Sequence, residues 1–463
     1  MARHTIWSGA GVVVANMIGV GVMISTGFMA QDMGPIPILV SWVLGAAIAL
    51  SGALAYSGIV SRISESGGEY RFLSDLVHPF LGYLAGWGSL ILGFSAAIAA
   101  DAYAIGSFVN TLVDGPDPRV IGTVVVVAFV AVHAGHANLG FLSQNWLAAI
   151  KVTSLVVFVL LGLAFGSNAL PTWTPPPAPD RSLLREMIAN QFWIAFAFSG
   201  WNAAVYLAKE FREPARDVGR AMILGTCFVA GLYLLINWIF VANLTPVEAQ
   251  AVVHYEESRI TLAHLVAHRL FGDAGAIAVS LFVILAFVSA ISAMMMVGPR
   301  VYAAMAKDGF LPAVFAAPGG TPRFAAVLLQ GGVVLLFLYV HSLAETVQAA
   351  SAFLMVFSAL TALSLLRLRR THQAEPSRLQ TGAAITHALA IACILAVGLR
   401  TSSALWLSLS AVFLLAVGGY AAAGRVAKTS RQARYEAQTA PAEDARIGGK
   451  GEWRPPLPVA GDD

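Results

Sequence analysis

Met17-Ile18-Gly19-Val20-Gly21-Val22-Met23 lies in the middle of a stretch, Thr5 to Gln31, that carries no formally charged residue. The stretch is long enough to cross a bilayer, for which about 20 apolar residues suffice. Glycine disfavours a helix interior by about 1 kcal/mol relative to alanine. Two glycines at mid-depth therefore mark an interruption. Unwound backbone in hydrocarbon survives only where it is buried in protein or lines a cavity. A second interruption, Ser199-Gly200-Trp201, falls inside the sixth apolar segment. Paired breaks at corresponding positions of two halves are the pattern of a transporter's substrate site.

The rest of the 463 residues agrees with a membrane setting: 58% are hydrophobic and 11% charged, against roughly 25% charged in soluble domains. Twelve apolar runs are readable, at about 5–30, 36–60, 80–112, 120–136, 139–165, 187–208, 219–243, 273–306, 324–341, 345–366, 381–399 and 401–424. With the N-terminus inside, the outer loops hold six of the 28 Lys and Arg residues (Arg119, Arg181, Arg185, Arg259, Arg269 and Arg400). This bias sets both termini as cytoplasmic. The expected location is a bacterial inner membrane. Inner loops such as Lys209 to Arg220 account for the net charge of +3, so no nucleic-acid partner is called for. The first segment is too long for a signal-peptide core and has no cleavage site after it, so it reads as a retained helix. Cys227 and Cys393 both fall in apolar segments and read as packing residues.

A proline-rich outer connection, residues 166–186, divides the first ten segments into five and five. Five is odd, so the second unit enters the membrane inverted and its broken helix runs antiparallel to the first. The expected architecture is an all-α polytopic membrane protein with a first repeat over 5–165, a second over 187–366, and an added helix pair over 381–424. Residues 61–79 read as an inner loop with a short interfacial helix, 244–272 as a long outer loop with helical patterning, and 425–463 as a disordered cytoplasmic tail.

Unwinding at Gly19–Gly21 frees amides of the following half-helix, which suit a carboxylate, and carbonyls of the preceding one, which suit an ammonium. The same glycines also suit close helix packing. In segment six, Phe196, Phe198 and Trp201 flank the break, while Ser199 and Asn202 offer hydrogen bonds. Two charged residues lie deep in the membrane and are functional candidates for that reason. Lys151, at the midpoint of segment five, suits proton exchange or a fixed ammonium in place of a metal cation, with Ser289 and Ser292 of segment eight as partners; a permanent structural pairing is the alternative. Asp101, in the outer half of segment three, suits a cationic group or a proton relay, or else a wetted vestibule. His133 and His136 read as an interfacial pair rather than a metal site. No metal site, cofactor, phosphate-binding loop or catalytic constellation is legible, which argues against an enzyme and against a pump with its own ATPase.

Four motifs resemble one family: Ile18-Gly19-Val20-Gly21-Val22-Met23; Ser64-Glu65-Ser66-Gly67-Gly68-Glu69-Tyr70; Phe198-Ser199-Gly200-Trp201-Asn202 with Lys209-Glu210 and Glu213-Pro214-Ala215-Arg216; and Arg300 through Asp308-Gly309 to Leu311-Pro312. From about Gly9 to Leu366 the chain resembles the amino acid–polyamine–organocation transporter superfamily. The resemblance implies a leucine-transporter-like fold of two inverted five-helix repeats with alternating access. It also implies a substrate carboxylate on the amides of Val20 and Gly21, next to Ile18 and Gly19, and an α-amino group on the carbonyls of Met17, Phe196 and Ser199. Phe196 would be an aromatic gate beside Gly200, and Lys151 would stand in for a sodium ion with Ser289 as neighbour. Two residues depart from the family's pattern. Val20 and Met23 replace the usual small residue and Phe, which removes a side-chain hydroxyl contact. Asn202 stands where arginine–agmatine exchangers carry glutamate. With no acidic residue legible at the break, the expectation is a secondary transporter for neutral amino acids, coupled to protons or exchanging. The alternatives are a cationic amino acid or polyamine exchanger using Asp101, and a non-transporting nutrient sensor. The expected partners are an amino acid or amine, protons and the lipid bilayer.

Overall fold

The interruption is where the sequence puts it. In a computed structural model that describes residues 4–64, 66–135, 137–167, 169–171, 173–174, 182–316, 324–371, 376–401, 413–414 and 416–420, α1 (Ile6–Met17) stops at Ile18 and α2 (Val20–Met29) begins after an extended Gly19, with a bend of 44° between them. A capping box starts α1: Thr5 Oγ1 accepts the Ser8 amide and Ser8 Oγ accepts the Thr5 amide at 2.8 Å. This satisfies amides that the first turn leaves without intrahelical partners.

Helix α3 (Pro35–Val60) opens on proline, whose missing N–H costs nothing there. A short helix, α4 (Gly68–Leu76), follows. The third segment is continuous from Pro79 to Asn110, as α5 (Pro79–Gly88), a π-helical stretch over Ser89–Ala96, and α6 (Ala97–Asn110). In that stretch Ser95 Oγ donates to Leu90 O at 2.7 Å. Then come α7 (Pro118–Gly135) and α8 (Ala137–Phe165).

The sixth segment is broken harder than the first. It comprises α9 (Leu183–Ala189), α10 (Gln191–Ala197), a turn, and a 3₁₀-helix over Ala203–Glu210. Gly200 makes the turn at φ +96°, a conformation that only glycine adopts freely. Helix α11 (Pro214–Ala242) returns across the membrane. The loop that follows holds α12 (Pro246–His254), with a Thr245–Glu248 capping box, and α13 (Glu256–Ile260). Helix α14 (Leu262–Lys307) is a short helix joined to a full span, the joint being Gly272 at φ +67°. The series ends with α15 (Phe324–Val340), α16 (Leu343–Thr371) and α17 (Arg378–Thr401).

Among the described residues, seven helices are long and apolar enough to cross a membrane, and the bent pair α1–α2 makes an eighth. Helices α7 and α15 are shorter apolar helices. The protein is an integral membrane protein, all-helical over the described residues. The expected twelfth segment lies largely outside the described residues, as do residues 425–463 and His136. Cys227 and Cys393 are both exposed free thiols, which corrects the packing role read for them: each faces away from the protein interior.

Candidate functional site

The fold draws the two breaks against each other. A Cβ placed on Gly21 would lie 2.5 Å from Ala197 Cα and one on Gly200 would lie 2.9 Å from Asn16 C, so α2 meets α10 and α1 meets the second turn backbone to backbone. From α11, the Tyr233 hydroxyl reaches Met17 O at 2.7 Å and Ala197 O at 3.1 Å. These are the last carbonyls of the two interrupted half-helices, which have no intrahelical donors. A single hydroxyl thus ties both ends. Below it Asn237 donates to Tyr233 O at 2.7 Å and accepts from Thr26, while Trp42 Nε1 donates to Thr26 Oγ1 at 3.0 Å. Sequence reasoning passed over Tyr233; the signal was the Tyr233–Asn237 pair, one helical turn apart on an otherwise apolar segment.

Lys151, 1% exposed on α8, donates to Ala15 O and Ile18 O, both at 2.7 Å. Its ammonium therefore sits on main-chain oxygens at the end of α1. The serine partners expected from the sequence are not among these bonds. Ser292 faces His133 instead, Oγ to Nε2 at 3.2 Å, and Ser289 is buried on α14. Its neighbour Ala290 is the α14 residue that approaches Gly19.

Asp101, 2% exposed, is not in a wetted vestibule. It accepts the Val20 amide at 2.9 Å, and both carboxylate oxygens lie within 4 Å of where a Cβ on Gly19 would stand. The expectation of no acidic residue at the break is corrected accordingly. α6 brings a carboxylate to the N-terminus of α2, a pairing across 81 positions that no local pattern announces.

Of the carbonyls expected to meet an ammonium, Met17 O accepts from Tyr233 and Phe196 O accepts from the Ser199 amide at 3.0 Å. Phe196 and Phe198 are buried. Trp201 stacks edge-on against Tyr56, ring centroids 4.7 Å apart, and against His387 of α17 at 6.0 Å. Ser199, Gly200, Trp201 and Asn202 line a cavity of about 60 Å³ with Ser358 and His387.

A larger cavity of about 630 Å³ runs from His4, Glu210 and Arg300 to Ala15 and Asn16, beside Thr153. Two of the quoted motifs converge at its mouth, where Arg300 pairs with Glu210 at 3.5 Å. The first described residue is bound there too: the His4 amide donates to Glu210 O at 2.7 Å and the Arg212 amide to His4 O at 3.1 Å. The motif that holds Arg300 also meets the one that ends at Tyr70, whose hydroxyl donates to Asp308 Oδ2 at 2.6 Å.

Helix α4 is more than an interfacial helix. Glu69, 3% exposed, accepts from Tyr56 OH at 2.6 Å and from Asn202 Nδ2 at 3.1 Å, which pins α4 to the sixth-segment break. Burial pushes its carboxyl up to about 7, against the opposing pull of those two donors. A carboxyl held above its free value of 4.5 binds its proton more tightly in the fold. Its stabilising contribution is full below about pH 4.5 and is lost as pH rises through about 7. Glu69→Gln keeps an acceptor for both donors. The melting temperature of the wild type should fall by several degrees between pH 5 and 7.5, and that of E69Q should fall less; parallel curves would contradict the assignment.

A family model described as amino acid permease matches residues 5–429. The chain belongs to that family, within the amino acid–polyamine–organocation superfamily. It is 27% identical over 303 residues to the serine/threonine exchanger SteT of Bacillus subtilis, covering 65% of this chain and 67% of the exchanger. It is 27% identical over 252 residues to the b(0,+)-type amino acid transporter 1 of Mus musculus, covering 52% of this chain and 51% of that protein. It is 23% identical over 323 residues to the large neutral amino acids transporter small subunit 2 of Homo sapiens, covering 67% and 58%. The chain thus spans between half and two thirds of these relatives, which are transporters and not enzymes.

Proposed function

We propose that this permease is a secondary transporter of neutral amino acids working by alternating access, as a proton symporter or an exchanger. The observation that carries the reading is the joined pair of breaks, with Tyr233 and Lys151 holding the carbonyl ends and α2 offering its first amides. Gly21 and Val22 supply the amides next to Val20, and these suit a substrate carboxylate. The substrate site comprises Met17, Ile18, Gly19, Val20, Gly21, Phe196, Ser199, Gly200, Trp201 and Asn202, with Asp101 at its edge. The frame is two inverted five-helix units, 5–165 and 187–366, followed by a helix pair. With both termini cytoplasmic, the cavity at His4, Glu210 and Arg300 opens inward and the conformation is inward-facing. Two of the relatives, a serine/threonine exchanger and a large neutral amino acid transporter, favour a neutral substrate. Uptake of labelled amino acids into proteoliposomes, with and without an imposed pH gradient, tests the reading. Failure of every amino acid to accumulate or exchange would end it.

One observation favours a second reading. Asp101 at the first break provides an anion where a cationic amine or polyamine would bind. That reading requires amine uptake to exceed amino acid uptake and to be lost in Asp101→Asn.

A further inference from the structure

The first four amides of an α-helix have no intrahelical acceptors and form an anion site. In α2, a helix of ten residues, the first of them already holds a carboxylate, that of Asp101. A substrate carboxylate arriving at the neighbouring amides of Gly21 and Val22 would stand beside it. Two carboxylates at one site do not both ionise; they hold one proton between them.

The surroundings offer little to neutralise a second negative charge. From α8, Lys151 is near enough for its charge to interact with that of Asp101, but its ammonium is committed to Ala15 O and Ile18 O. From α11, Tyr233 faces the site with its hydroxyl given to Met17 and Ala197. Helix α14 brings Ala290 to Gly19, and the α7 residue His133 is engaged with Ser292. Further along α6, Tyr103 feels Glu256, Glu257, Arg119 and Asp117 at the other end of the segment.

We propose that Asp101 and the substrate's own carboxylate share a single proton at the start of α2, so that each amino acid carboxylate bound takes up one proton. This rests on the amino acid reading above and adds to it the group that couples the proton. Asp101 takes a proton from solvent on substrate entry. Its carbonyl oxygen goes on accepting from Val20, and its new O–H donates to the substrate carboxylate. The same proton leaves with the substrate on the far side. An amine lacking a carboxylate makes no such demand and binds with Asp101 ionised.

The test uses the full-length protein in lipid nanodiscs and two ligand pairs, L-serine with ethanolamine and L-leucine with isopentylamine. Proton uptake is read by titration calorimetry in buffers of different ionisation enthalpy. Above neutral pH the amino acid should bind with uptake of about one proton, and its Kd should rise by up to about tenfold per pH unit, the limit for one linked proton. The matching amine should take up none. In Asp101→Asn, which keeps an acceptor for Val20 and is permanently neutral, the amino acid's proton uptake should vanish and its Kd should become independent of pH. Where D101N does not fold, the wild-type contrast between acid and amine decides alone. Equal proton uptake by both members of a pair, or by neither, overturns the inference while leaving the amino acid reading intact. Absence of amino acid binding at every pH overturns that reading and the inference with it.

Discussion

Replacing Lys151 with alanine is expected to abolish transport, by about a hundredfold or more in initial uptake rate. The ammonium is fully buried and donates at 2.7 Å to two carbonyls at the end of α1. Charge-assisted bonds of this kind contribute about 1.5–3 kcal/mol each. Deleting them leaves two buried acceptors unpaired and frees the end of α1 from α8. It also strips Asp101 of its nearest positive group, at a depth where an uncompensated charge is costly. Lys151→Met separates packing from charge, since methionine fills a similar volume and donates nothing. If the ammonium is what matters, K151M is as inactive as K151A while remaining monodisperse, with a melting temperature nearer the wild type. If filled volume is what matters, K151M transports. Robust, pH-driven uptake by K151A would mean that transport needs neither the ammonium nor its hold on the end of α1.

What the sequence made legible follows from range. The interruption at Gly19 and the one at Gly200 are local, because a helix of apolar residues stops where glycine lets it, and both were found in place. So was a short helix within residues 61–79, α4. Lys151 was conspicuous because a charge in hydrocarbon needs a reason. The identity of its acceptors was not legible, since a carbonyl leaves no mark in a sequence; of the two serines that do leave one, Ser292 faces His133. Asp101 was visible as a charge and invisible as a cap: its bond to Val20 depends on how α6 is rotated against α2. Glu69 lay inside a quoted motif, yet its contact with Asn202 closes a loop across 133 positions. Tyr233 was missed because tyrosine is an ordinary membrane residue until its hydroxyl is seen between two half-helices.

The two glycines of the first break should respond very differently to substitution, although the sequence presents them as a pair. At Gly21 a Cβ would lie 2.5 Å from Ala197 Cα, 2.9 Å from its amide nitrogen and 3.0 Å from its Cβ. Backbone atoms cannot rotate away as a flexible side chain does, so α2 must move off α10. Overpacking of this kind costs about 1–3 kcal/mol. Here it would also stretch the bridge by which Tyr233 joins Met17 to Ala197. At Gly19 the same methyl would meet Asp101 Oδ1 at 3.5 Å and Ala290 Cβ at 3.7 Å, ordinary contacts, on a backbone at φ −149° that any residue adopts. Gly21→Ala is therefore expected to lower uptake by about a hundredfold and to reduce the melting temperature, whereas Gly19→Ala should keep uptake within several-fold of wild type. Gly231→Ala serves as the control, because nothing lies within 4 Å of a Cβ at that position of α11 and alanine favours a helix. Equal losses in G19A and G21A would mean that the glycines are needed for backbone motion during the transport cycle. In that case the close approach of α2 to α10 would not be what fixes Gly21.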